Sequence, residues 1–61
     1  MTRIRVVLAY DHPIVRAGIR DLLAAADDIE VVGEAADGRS AMDLVRTLEP
    51  DILLLDMEMP E

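Results

Sequence analysis

The chain has 61 residues, about half the length of a typical domain, and carries a net charge of −7 from 13 acidic and 6 basic residues. This charge disfavours nucleic-acid binding by the chain itself, and the lack of cysteine with only one histidine excludes disulfides, thiolate metal sites and histidine-rich metal sites. No apolar run approaches the roughly 20 residues of a membrane span, and the apolar start is too short for a signal peptide, so we expect a soluble protein in the cytoplasm.

The first two predicted elements are a buried strand and an amphipathic helix. The strand runs from Ile4 to Ala9, which are mostly β-branched and aliphatic residues. The helix runs from Pro13 to about Ala26, because proline is favoured in the first helical turn and the apolar residues that follow are spaced as on one helix face. That face comprises Val15, Ile19, Leu22, Leu23 and Ala26. Arg16 and Arg20 lie one turn apart and repel unless an acid lies beside them.

A second strand and helix follow, and then a third strand. The strand runs from Glu30 to Ala35, where Gly33 either weakens it or allows a neighbour to approach closely. The helix runs from about Arg39 to Leu48, with Asp37 as its predicted N-cap and Pro50 behind its end. The third strand is the aliphatic run 52–55, whose lack of polar alternation is typical of a strand covered on both faces.

The order strand–helix–strand–helix–strand predicts a parallel α/β sheet. If strand 3 lies beside strand 1, in the order 2-1-3, Asp11 and Asp56 emerge side by side at the carboxyl edge, where such sheets bind ligands. Glu58 lies on the same edge and can offer its main-chain carbonyl or its side chain. Clustered carboxylates repel unless a cation joins them, and hard oxygen ligands select Mg²⁺ or Ca²⁺. A carboxylate beside such a cation can attack phosphorus, so we expect a phosphate-accepting Asp56.

Other acids have simpler interpretations. For Asp11, helix capping and metal ligation are equally open, and Asp37 is expected to act as a cap. His12 is interpreted as an N-terminal helix residue. The remaining acids between elements lie at the amino ends of strands and are expected to be solvated turn residues: Asp27, Asp28 and Asp51.

Three segments together resemble the receiver domain of response regulators in two-component signalling, closest to the subfamily in which a LuxR/NarL-type helix-turn-helix domain follows. They are DHPIVRAGI at 11–19, IEVVGEAADG at 29–38 and PDILLLDMEMP at 50–60. The resemblance implies a flavodoxin-like (CheY-like) fold of five βα units, of which residues 1–61 form a partial receiver domain. The rest of the receiver and any DNA-binding output domain would then lie outside this chain.

The resemblance also implies roles for particular residues. Asp56 matches the phosphoacceptor, Asp11 an acid that binds Mg²⁺, and Glu58 the position that ligates the metal through its main-chain carbonyl. The phosphoryl donor would be a sensor histidine kinase or a small phosphodonor, and the domain itself would not be an enzyme. A departure from the family is Tyr10, which stands where a further acid is expected, so Mg²⁺ binding is expected to be weaker.

Alternatives remain. Tyr10 is also compatible with a pseudo-receiver that binds partners without phosphate. The motif Asp56-Met57-Glu58 distantly resembles the nucleophile motif of haloacid-dehalogenase-type phosphatases, although that motif usually follows the first strand and ends in Asp. The hydroxyl residue and lysine that receivers use after strands 4 and 5 lie beyond residue 61, so this chain alone is not expected to switch. Strand 3 would be an unpaired apolar edge, which predicts self-association.

Overall fold

The computed structural model describes residues 3–56 and contains the five elements in the predicted order. They are β1 (Ile4–Ala9), α1 (Pro13–Ala24), β2 (Ile29–Ala35), α2 (Gly38–Leu48) and β3 (Ile52–Leu55). The ends of three elements differ from the prediction by one or two residues. The largest difference is at α1, which ends at Ala24 because the amides of Ala25 and Ala26 donate to the carbonyls of Leu22 and Leu23, three residues back, at 3.3 Å and 3.0 Å.

The three strands are parallel, in the order β2-β1-β3, which confirms the predicted order 2-1-3. Ala9 of β1 lies level with Ala35 of β2 and with Leu55 of β3, so all three strands end at the same height. The ladder continues by one residue on each side of β1. The Asp56 amide donates to the Ala9 carbonyl at 2.9 Å, and the Tyr10 amide donates to the Ala35 carbonyl at 3.1 Å. Asp56 is thereby fixed beside the segment that follows β1.

The core is centred on β1, whose last four residues are at most 2% exposed: Val6, Val7, Leu8 and Ala9. Burial of each larger aliphatic side chain stabilises the fold by about 1.5–3 kcal/mol. One face of the sheet packs on α2, where Ala41 contacts Ala9 and Ala35, with Leu44 and Leu53 beside them. β1 is therefore the strand covered on both faces, whereas the same prediction for residues 52–55 was wrong at the ends of β3, where Ile52 and Leu55 are 44% and 47% exposed because β3 lies at the edge of the described sheet.

The two helices lie on opposite faces of the sheet. A Cβ atom at Gly33 would lie 3.1 Å and 3.2 Å from methyl groups of Leu48 and Leu44 on α2. The next residue, Glu34, points to the other face and contacts Arg16 of α1 at 3.2 Å. The absent side chain at Gly33 thus lets α2 approach β2 closely, which is one of the two interpretations that the sequence allowed.

The apolar face of α1 is only partly covered. Ile19, Leu23 and Ala26 are half-buried, whereas Val15 is 47% and Leu22 is 75% exposed. The prediction of one five-residue packed face was therefore wrong for these two. The physical reason is that α1 packs mainly over β2, the outer strand, and one narrow strand covers less than the full width of a helix face.

The rim opposite the strands' carboxyl ends is held by Arg5 and Asp51. The Arg5 guanidinium donates to the carbonyls of Leu48 at 2.6 Å and Glu49 at 3.2 Å, at the C-terminus of α2. The Arg5 amide donates to the Asp51 carboxylate at 2.9 Å. Asp51 is exposed as expected, but it is also a hydrogen-bond acceptor, which its position in a turn did not reveal. Asp27 and Asp28 are exposed turn residues, as predicted.

Within residues 3–56, no helix has the length and apolar character needed to cross a membrane.

Candidate functional site

The carboxyl edge of the sheet brings together Asp11, His12 and Asp56. One ligand atom from each of these residues lies within 4.8 Å of the others. Asp56 directly follows β3, and Asp11 lies two residues after β1, so the convergence follows from the adjacency of these strands. The predicted meeting of Asp11 with Asp56 is thus present in the geometry, while Glu58 lies outside the described residues.

Asp11 does not cap α1. The residue at the N-cap position is His12, with extended backbone (φ −94°, ψ 109°), and among residues 3–56 no side chain is found to cap the first turn. Of the two interpretations left open for Asp11, capping is therefore wrong. Its carboxylate points instead toward His12 and Asp56.

The Oδ1 atom of Asp11 is shielded from solvent and accepts no hydrogen bond from the described residues 3–56. The Nδ1 atom of His12 lies 2.9 Å from it but does not form a hydrogen bond with it. Leaving a buried acceptor unsatisfied costs roughly 1–3 kcal/mol, and native structures rarely do so without a functional reason. A carboxylate oxygen without a hydrogen-bond donor, close to a second carboxylate, provides oxygen ligands of the kind that a hard divalent cation prefers. The residues present therefore fit Mg²⁺.

His12 is the site residue that sequence reasoning missed. Its Nδ1 atom lies 2.9 Å from Asp11 Oδ1 and 3.9 Å from Asp56 Oδ2. The side chains of His12, Asp11 and Asp56 are 66%, 32% and 18% exposed, so the site opens to solvent on the histidine side. Its position between Asp11 and Pro13 was the only sequence signal that placed His12 near the site. Whether its ring faces the carboxylates depends on the backbone angles at His12, which the sequence does not give.

Tyr10 holds the backbone of the site through its main chain. Its amide donates to the Ala35 carbonyl, and its carbonyl accepts from the Arg16 guanidinium at 2.9 Å. Arg16 also pairs with Glu34 at 3.2 Å, and Arg20 pairs with the other oxygen of Glu34 at 3.5 Å. Glu34 is thus the acid that the two like-charged arginines needed, and together these contacts tie α1 to both β1 and β2.

Asp37 takes no part in the cluster. Its side chain accepts the amide of Ser40 at 2.7 Å and caps α2, as predicted. This backbone hydrogen bond lowers the pKa of Asp37 below its usual value.

Comparison with known proteins extends these observations. The family model described as the response regulator receiver domain matches residues 6–61. The nitrate/nitrite response regulator protein NarL of Escherichia coli (strain K12) is 46% identical over 55 residues, which are 90% of this chain and 26% of that protein. A protein-glutamate methylesterase/protein-glutamine glutaminase of a Nocardioides species is 48% identical over 61 residues, which are 100% of this chain and 17% of that protein.

Among solved structures, the signal receiver domain of the putative response regulator NarL from Mycobacterium tuberculosis matches with a TM-score of 0.94 and 41% identity, covering 97% of this chain and 48% of that chain. This match confirms the expected fold and the resemblance to NarL-type receivers. The chain spans about half of that receiver chain and at most 26% of the two curated relatives.

Proposed function

Because this chain belongs to the response regulator receiver domain family, we propose that it accepts a phosphoryl group on Asp56. The observation that carries the proposal is the convergence of Asp56 with Asp11 at the carboxyl edge of the sheet, within 4.8 Å and with one buried carboxylate oxygen unsatisfied. Asp11 and Asp56 would hold Mg²⁺ together, and the main-chain carbonyl of Glu58 is the expected third ligand. Bound there, Mg²⁺ would neutralise charge on the phosphoryl oxygens.

The residues of this chain prepare the transfer by positioning. The hydrogen bond from the Asp56 amide to the Ala9 carbonyl fixes the nucleophile at the end of β3. A carboxylate oxygen of Asp56 forms the new bond to phosphorus. The bond from phosphorus to the donor, which is nitrogen in a phosphohistidine or oxygen in acetyl phosphate, breaks, and its electron pair leaves with the donor. Asp11 would hold the metal beside the transferred group, and the bonds of Tyr10 hold the segment that carries Asp11 in place.

The proposed partners follow from the family. A sensor histidine kinase would supply the phosphoryl group in the cytoplasm, and a helix-turn-helix output domain outside this chain would contact DNA and regulate transcription. The net charge of −7 agrees with DNA being contacted elsewhere. NarL of E. coli is described as a nitrate/nitrite response regulator protein, and we propose no catalytic turnover for this chain.

Intact mass measurement tests the proposal. The purified chain incubated with acetyl phosphate and Mg²⁺ should gain the mass of one phosphoryl group, and the Asp56→Asn variant should gain none. Asp43→Asn removes an exposed acid from α2, far along the chain from the site, and is the matched control that should behave like the wild type. Equal phosphorylation of the wild type and Asp56→Asn would refute the assignment.

A second candidate is a phosphate-independent interaction module, which is favoured by one observation. Tyr10 occupies the position at which the family carries a further acid, and tyrosine is neutral at pH 7. The Tyr10→Asp variant should bind Mg²⁺ more tightly than the wild type if the missing acid weakens the site. Equal Mg²⁺ affinities, measured by calorimetry, would show that Tyr10 does not limit metal binding.

Self-association through β3 remains a proposal. Ile52 and Leu55 are 44% and 47% exposed, and within residues 3–56 this strand pairs on one side only. Exposed strand edges pair readily with other chains. Sedimentation should show a species larger than the monomer, and a well-folded monomer at all concentrations would contradict the proposal.

A further inference from the structure

His12 is placed as a ligand rather than as a helix cap. It occupies the N-cap position of α1, yet its side chain makes no capping hydrogen bond. Its Nδ1 atom instead lies 2.9 Å from Asp11 Oδ1 and 3.9 Å from Asp56 Oδ2. The imidazole therefore points its nitrogen at the space between the two carboxylates.

We propose that Nδ1 of His12 is the third protein ligand of this site, and that Asp11, His12 and Asp56 together bind Zn²⁺ more tightly than Mg²⁺. The inference rests on the same two carboxylates as the proposed function, but it concerns binding of an ion and not phosphoryl transfer.

The spacing of the three donors suits a zinc ion. Zinc lies about 2.0–2.2 Å from nitrogen and oxygen ligands, so neighbouring donors of a tetrahedral site lie roughly 3.4 Å apart. The two distances from His12 Nδ1, 2.9 Å and 3.9 Å, fall on either side of this value. Changes of about half an ångström bring both distances from His12 Nδ1 to this value, and a tetrahedral site would hold a water in the fourth position.

The donor chemistry points the same way. Mg²⁺ takes oxygen ligands and keeps several waters, whereas neutral imidazole suits Zn²⁺ and related transition metals. With Tyr10 in the place of an acid, the site offers Mg²⁺ fewer carboxylates. The lack of an acid at position 10 weakens Zn²⁺ binding less, because the imidazole of His12 supplies a ligand that suits Zn²⁺.

Nuclear magnetic resonance tests the ligand assignment without any substitution. The chain contains one histidine, so its imidazole gives a single set of signals. Titration with Zn²⁺ alone should shift the Nδ1 resonance of His12 strongly and saturate at one ion per chain, whereas Mg²⁺ at the same concentration should leave it nearly unchanged. An unmoved Nδ1 resonance, or coordination through Nε2, would overturn the proposal.

Calorimetry with matched variants gives the second test. His12→Ala should lose at least about tenfold in Zn²⁺ affinity, since even the hydrogen-bonding partners of metal ligands are typically worth that much. Its Mg²⁺ affinity should stay within about twofold, and Asp43→Asn should change neither affinity, which controls for general attraction of cations to an acidic chain. His12 is 66% exposed, and an unchanged unfolding midpoint of metal-free His12→Ala verifies that the variant folds.

The two proposals fail in different experiments. Unchanged Zn²⁺ affinity in His12→Ala refutes the role of His12 while leaving phosphorylation of Asp56 untouched. Absence of a phosphoryl adduct with acetyl phosphate and Mg²⁺ refutes the proposed function, and a His12-dependent zinc site would still stand.

Discussion

Replacing Asp11 by asparagine should stabilise the metal-free chain and weaken its response to Mg²⁺. Asp11 and Asp56 place carboxylate oxygens within 4.8 Å of each other, and one oxygen of Asp11 is buried without a hydrogen bond. Asparagine has nearly the same shape and removes the negative charge. In the absence of metal, the variant therefore loses a repulsion and keeps the packing.

The size of the effect follows from the geometry. Because the two carboxylate oxygens lie no more than 4.8 Å apart, two unit charges there repel by at least about 0.9 kcal/mol at the dielectric constant of water and at least about 3.5 kcal/mol at an effective value of 20. The two side chains are 32% and 18% exposed, so solvent screens part of the repulsion and the lower figure is used. A gain of about 1 kcal/mol raises the unfolding midpoint by roughly 4–8 °C in a domain of this size.

Thermal unfolding in EDTA and then in excess Mg²⁺ measures both effects. Mg²⁺ should raise the midpoint of the wild type through mass action and should raise that of Asp11→Asn much less. Asp43→Asn changes the net charge by the same amount, at an exposed position of α2, and controls for general relief of the −7 charge. If Asp11→Asn unfolds below the wild type in EDTA, or gains as much from Mg²⁺, the assignment of Asp11 to a shared cation site is wrong.

Two further predictions concern α2. Glu49 follows the last residue of the helix and has a left-handed backbone (φ 48°), which glycine adopts without steric cost. Glu49→Gly should therefore raise the free energy of unfolding, measured in urea, by about 0.5–1 kcal/mol. A lower free energy of unfolding would show that the Glu49 side chain stabilises the fold by more than the backbone strain destabilises it. Asp37 caps the helix, and the hydrogen bond from the Ser40 amide lowers the pKa of Asp37 in the folded chain below its usual value of 3.8. The ionised cap therefore stabilises the fold fully above about pH 3.8, and this stabilisation is lost as the pH falls through the lower pKa of the folded state. Wild type should therefore unfold at a higher temperature than Asp37→Ala at pH 7, and the two should converge in strong acid; a difference that persists there would rule out the carboxylate as its source.

The sequence was sufficient for those features that depend on strand order. The alternation of apolar strand segments with amphipathic helices already predicts a parallel sheet. The strand order 2-1-3 then brings Asp11 close to Asp56, although they are 45 residues apart in the sequence. The N-cap role of Asp37 was also predictable, because it depends on the residues next to it in sequence.

Other features depend on distances between elements that local patterns do not encode. The exposure of Leu22 reflects how narrow a strip of sheet lies under α1, and the pairing of Glu34 with two arginines joins β2 to one side of that helix. The orientation of His12 depends on the extended backbone at the start of α1. These three features therefore become visible only in the structure, where the position of α1 on the sheet is known.

The bonds at Tyr10 have a consequence for how this site can change over evolution. Both of its tethers use main-chain atoms, the amide to Ala35 and the carbonyl to Arg16, so they persist whatever side chain stands at position 10. An exchange of acid for phenol there alters the charge offered to an ion without displacing the peptide that carries the next two donors. The charge at this edge of the sheet can therefore change by a single substitution while the backbone that positions Asp11 and His12 stays in place.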